Sequence, residues 1–130
     1  MRYVILIAAA LALSGCAGFA KLETAYTYAT TATVPAEVVR PIANTFDILK
    51  GTAVNFAKYC VANKFAPAGC DVATRRKIVT AIRVGTNARV QMRSSLAMGQ
   101  PVLSTVYNLL VGAVTDLQAT PVSTFTGGAP

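Results

Sequence analysis

Three stretches of this 130-residue chain place apolar residues at alternating spacings of three and four, separated by Pro- and Gly-containing breaks at 64–69 and 99–101. That spacing lays one apolar stripe along a helix of 3.6 residues per turn. In the first stretch the stripe is Ile42, Phe46, Leu49, Ala53, Phe56 and Cys60, with Lys50, Asn55, Lys58 and Asn63 elsewhere around the helix. Pro41 suits a first helical turn, where its missing N–H would have no partner, so this helix is expected to start there. Gly51 weakens its middle by up to about 1 kcal/mol relative to Ala and is read as the mark of a close neighbour. In the second stretch Ile78, Ala81, Ile82, Gly85, Ala88, Met92 and Leu96 share one face, which Gly85 and Ala88 keep thin enough for tight packing. Asp71 is placed to cap its start, and Gly99 to stop it near Met98. The third repeats the pattern in Leu103, Val106, Leu110, Ala113 and Leu117, with Leu109 widening the stripe and Pro101 in its first turn.

Three amphipathic helices joined by short turns form, most simply, an up-down-up bundle, so the chain is expected to be all-α with a three-helix bundle over 41–118. Residues 26–34 are rich in β-branched and aromatic side chains, and Pro35 and Pro41 interrupt any long helix there. Residues 16–40 are therefore read as a tether that becomes an extended arm or a short irregular helix lying on the bundle. From 119 to 130 the sequence is small, aperiodic and contains Pro and Gly, which predicts a disordered tail.

The start of the chain carries a different signature. Arg2 supplies a positive charge, residues 4–13 (VILIAAALAL) are uninterrupted and apolar, and Ser14 and Gly15 are small. A run of about ten residues falls short of the roughly 20 that span a bilayer, and the layout is that of a secretory signal over 1–15. Leu13-Ser14-Gly15-Cys16 resembles the lipobox of bacterial lipoproteins. The resemblance implies that the Cys16 thiol receives a diacylglycerol and that cleavage before it leaves Cys16 as the N-terminus of a mature chain of 115 residues (130 less 15). The alternative is an ordinary secretory signal with a cysteine near the cut. Ala17, where Asp would imply retention at the inner membrane, points to the outer membrane. Each lipid CH₂ contributes about 0.8 kcal/mol, so two or three acyl chains on Cys16 would hold the protein in the cell envelope, facing the periplasm. The resemblance ends with the leader.

With Cys16 taken by lipid, Cys60 and Cys70 remain as an even pair in an exported domain, and an oxidising compartment favours a disulfide between them. The chain-entropy model gives such a short loop on the order of 2 to 3 kcal/mol of stabilisation. A metal site would need further Cys or His ligands, and the chain has no His; a redox pair would have C-x-x-C spacing, which is absent.

Twelve Lys and Arg stand against five Asp and Glu, and loss of Arg2 with the leader lowers the formal net charge from +7 to +6. A basic balance speaks of anionic partners: lipid headgroups, lipopolysaccharide phosphates, acidic proteins or nucleic acid. On the second helix Arg75, Arg76, Arg83, Arg89 and Arg93 fall within an arc of roughly 140° at about 100° per residue, Arg89 overlapping the edge of the apolar face and Lys77 lying off the arc. Arginine's planar fork suits bidentate contact with phosphate or carboxylate, so these five are an anion-binding candidate. The alternative is a solvated face that confers solubility. Nucleic acid is a poorer partner for this stripe, which lacks interleaved aromatics.

Chemistry has little to work with. The acidic set, Glu23, Glu37, Asp47, Asp71 and Asp116, is scattered; Asp71 reads as a cap and Asp47 as a helical partner of Lys50. Tyr26, Tyr28, Tyr59 and Tyr107 read as packing residues with a polar tip. No enzyme activity, metal or cofactor is expected. The sequence points to an envelope lipoprotein that acts as a structural or interaction module at the membrane surface, with an anionic lipid or acidic envelope protein as possible partner. Two alternatives stay open: a phage- or prophage-encoded lipoprotein that interferes with a receptor or assists lysis, and a carrier of lipid or another hydrophobic ligand, which would need an apolar pocket.

Overall fold

The computed structural model describes residues 32–127. The expected leader, Cys16 with its lipobox-like neighbours, and most of the expected tether lie outside them. The described elements are β1 (Thr33–Val34), α1 (Ala36–Ala62), α2 (Val72–Ala97), β2 (Val102–Leu103), α3 (Ser104–Gln118) and a 3₁₀ turn (Pro121–Thr124). They form the expected three-helix bundle, with α1 running away from β1, α2 returning and α3 running out again. β1 and β2 pair antiparallel across the chain-entry end, Thr33 opposite Leu103 and Val34 opposite Val102.

α1 starts five residues before Pro41 instead of at it. Pro35 stands extended at its N-cap, Glu37 places a negative charge in the first turn, and Pro41 lies inside the helix. A proline there removes the bond to the Glu37 carbonyl, but Glu37 and Pro41 are both exposed, so water can satisfy that oxygen. The gain lies on the other face. Val39 is fully buried and continues the stripe of Ala43 and Phe46 by one turn, while Val34 is buried beneath the ribbon. Burying such side chains at roughly 1.5 to 3 kcal/mol each offsets the lost bond.

Both inter-helix turns are Schellman motifs. After α1, the Phe65 N–H donates to the Cys60 carbonyl at 2.8 Å and Lys64 N–H to Val61 at 3.0 Å. After α2, Gln100 N–H donates to Ser95 at 2.9 Å and Gly99 N–H to Leu96 at 3.1 Å. The second turn has glycine in the left-handed region, Gly99 at φ 68°, whereas the first has two side-chain-bearing residues there, Lys64 at φ 52° and Phe65 at φ 60°. Asp71 caps α2 as expected, accepting from Thr74 N–H at 2.9 Å and from its hydroxyl at 2.7 Å.

Phe46, Met92, Tyr107, Leu110 and Leu117 are the largest fully buried side chains, and α3 supplies three of them. α3 packs along α2 and against α1, so the shortest helix is the one that holds the other two together. The α3 stripe widens towards Tyr107 and Val114, both buried, and away from Leu109, which is half exposed. Pro101 precedes β2 and does not open the helix. Gly51 faces solvent with nothing near it; the close approach is at Gly85, where the Phe46 ring fills the space a methyl would occupy.

The tail is ordered through Gly127 where disorder was expected. Thr120, itself buried, donates its hydroxyl to the Leu117 carbonyl at 2.7 Å and accepts from Val122 N–H, which turns the chain back. Val122 is buried, and Phe125 meets Phe56 edge-on with ring centroids 5.4 Å apart. The segment therefore closes the end of the bundle opposite the β1–β2 ribbon. Cys60 and Cys70 join there as the expected disulfide, with Cα atoms 5.4 Å apart and both residues fully buried.

Candidate interaction surface

α2 carries Arg75, Arg76, Lys77, Arg83, Arg89 and Arg93, and no Asp or Glu. Its sequence holds an apolar face against α3 and leaves the basic side chains to the outside, but the structure does not treat the five arginines alike. The Arg89 guanidinium reaches across to α1, where it donates to the Asp47 carboxylate at 3.0 and 3.2 Å. Asp47 thus pairs between helices, not with Lys50 along its own; Lys50 donates instead to the Thr86 hydroxyl at 3.2 Å. Arg75 lies over the Phe65 ring, 4.3 Å from its centroid, with its Nε buried and unbonded. The stack orders the left-handed turn beside the disulfide.

Arg76, Arg83 and Arg93 are exposed and make no ion pair among the described residues. Between them runs a feature that the apolar-stripe reading missed: Val72, Val79 and Val90 are 60%, 54% and 63% exposed. Separations of seven and eleven residues bring all three within about 20° of one another around the helix. By the same angular count, Arg75 and Arg93 flank the row on one side and Arg83 and Arg76 on the other. The spacing was readable in the sequence, but valines outside the core stripe gave no reason to look for it. Val72, Arg75, Arg76, Val79, Thr80 and Arg83 line a shallow depression of about 380 Å³ on this face.

A second groove, about 510 Å³, lies between α2 and α3 and is lined by Ala73, Arg76, Lys77, Thr80, Asp116 and Ala119. Both depressions open to solvent between charged side chains and neither has the enclosed apolar walls that carriage of a hydrophobic ligand requires.

Two ionisable groups are shifted from their ordinary values, and both are structural. The Thr74 N–H and hydroxyl hold the Asp71 carboxyl below the usual range, and burial pushes the Tyr107 phenol up. Among the described residues there is no cluster of His, Cys, Asp and Glu fit for a metal, and no helix is long and apolar enough to cross a membrane. No family model matches this chain, and neither the curated proteins nor the solved structures contain a match to it.

Proposed function

We propose that this chain is a lipid-anchored protein of the bacterial envelope, held by acyl chains on Cys16 in the outer membrane and facing the periplasm, where its bundle acts as a non-enzymatic interaction module. The observation that carries the reading is the division of the cysteines. Cys60 and Cys70 are consumed by a buried disulfide, and the third thiol stands in the lipobox-like Leu13-Ser14-Gly15-Cys16. Disulfides persist in oxidising compartments, so the pair supports export independently of the leader.

The bundle suits presentation of a surface. Its chain-entry end is tied by the β1–β2 ribbon and its far end by the disulfide and the returning tail, so both ends of the long helices are fixed. A basic face on α2 is left outward. The test is metabolic labelling in a bacterial host. Radiolabelled palmitate should enter the wild-type protein and not the Cys16→Ser variant. Wild-type protein that carries no label would overturn the proposal.

A further inference from the structure

Resting on the reading of a tethered protein, we infer that the outward face of α2 is a second, reversible membrane contact that lies flat on anionic phospholipid. The row of Val72, Val79 and Val90 would enter the headgroup boundary while Arg76, Arg83 and Arg93 take up lipid phosphates.

Charge is the first support. α2 has six cations and no acidic residue, and the acids nearest this face in the packed structure are already engaged or set aside: Asp47 holds Arg89, Asp71 caps the helix, and Asp116 lies across the α2–α3 groove. Arg76, Arg83 and Arg93 thus lack protein partners among the described residues. Shape is the second. The depression on this face is shallow and open, walled by arginine, valine and threonine side chains, and is not the enclosed pocket filled by the buried aromatic or arginine anchors that dominate protein interfaces. An apolar row flanked by arginines is the arrangement of interfacial helices, in which the long basic stems lie along the apolar surface and their heads reach phosphate.

Reach is the third. A tether from Cys16 to residue 31 is sixteen residues and can extend to at most about 55 Å. α2, at 26 residues, is about 39 Å long. The anchor therefore permits the helix to lie along the bilayer, and confinement near the surface raises its effective concentration there.

The chain contains no tryptophan, so a single Val79→Trp substitution gives an unambiguous reporter. The full-length protein, purified from a bacterial host in its native processed form, would be reconstituted with phosphatidylcholine vesicles with and without phosphatidylglycerol. The expected result is a blue shift and protection from acrylamide for tryptophan at 79 only when phosphatidylglycerol is present, reversed by added salt. Tryptophan at Ile48, which is 70% exposed on α1, should stay wet in both. Changing Arg76, Arg83 and Arg93 together to Gln should weaken docking by roughly a hundredfold, and Arg89→Gln, whose partner is Asp47, should leave it unchanged. Equal behaviour of the two reporters overturns the inference, as does protection at 79 that requires an acidic protein in place of the lipid. The mass of the N-terminal peptide is read on the same sample. An acylated Cys16 with an exposed reporter rejects the docking face alone, whereas an unmodified Cys16 with a protected reporter rejects the anchor alone.

Discussion

The Phe46 ring lies in the space that a side chain at Gly85 would take, so α1 and α2 meet at a point set by the absence of one carbon. Ala81 and Ala88, buried on either side of Gly85, keep the same face of α2 thin. Just beyond this contact Asp47 pairs with Arg89 and Lys50 with Thr86.

Gly85→Ala should therefore destabilise the protein by about 1 to 3 kcal/mol through overpacking. Gly51→Ala, at an exposed helical position with open space around it, should stabilise it by about 0.5 to 1 kcal/mol. Urea denaturation of the two variants gives both signs. Destabilisation of equal size at both sites would mean that α1 does not approach α2 at Gly85.

The first Schellman turn puts two side chains, Lys64 and Phe65, in the left-handed region where the second uses Gly99 alone, and that difference is testable. Lys64 adopts a left-handed conformation that glycine takes without steric cost, so Lys64→Gly should raise stability by about 1 kcal/mol. Gly99→Ala should lower it by a similar amount, since its φ of 68° is strained for a side chain. Thermal melts of both variants at matched concentration measure the pair.

The returning tail is part of the core. Deleting residues 121–127 would uncover Phe56 and the turn at Gly69 and remove buried Val122, a loss of several kcal/mol by the cost of emptying core sites. Gly69→Ala tests the same contact from the other side, because a Cβ there would lie 2.6 Å from Pro121 Cγ at a φ of 84°. A truncated protein that melts with the full chain would return the tail to the disordered status its composition suggests.

Asp71 gives acid unfolding a named contributor. Its folded-state pKa is held below that of a free aspartate, first by the Thr74 N–H and then by the Thr74 hydroxyl. A depressed carboxyl pKa contributes stability that is fully present above the unfolded value and lost as pH falls through the folded one. Asp71→Asn should keep a cap while flattening this part of the stability profile below about pH 4. Chemical denaturation across pH 2 to 5 compares the two slopes, and parallel profiles would remove Asp71 from the account.

The three helices were legible because their buried positions repeat at three and four, and nearly every stripe residue lies inside or against the core. Their ends were less so. Pro41 looked like a start because local chemistry favours it there, but Val34 and Val39 recruit the preceding segment by packing against residues distant in sequence. The tail looked structureless for a related reason: Phe125 packs on Phe56 and Tyr59, and Pro121 on the turn at Gly69, all distant in sequence. Within the basic stripe, angular position alone made five arginines equivalent. Their partners divided them, since Asp47 on α1 and Phe65 in the turn come near only once the hairpin has closed.

Mass spectrometry of the N-terminal peptide of the protein purified from its native membrane tests the anchored reading at its root. An anchored protein yields a peptide that begins at Cys16, heavier than the sequence by a thioether-linked diacylglycerol and a further acyl group. A peptide beginning at Met1, or one bearing an unmodified Cys16, would contradict it.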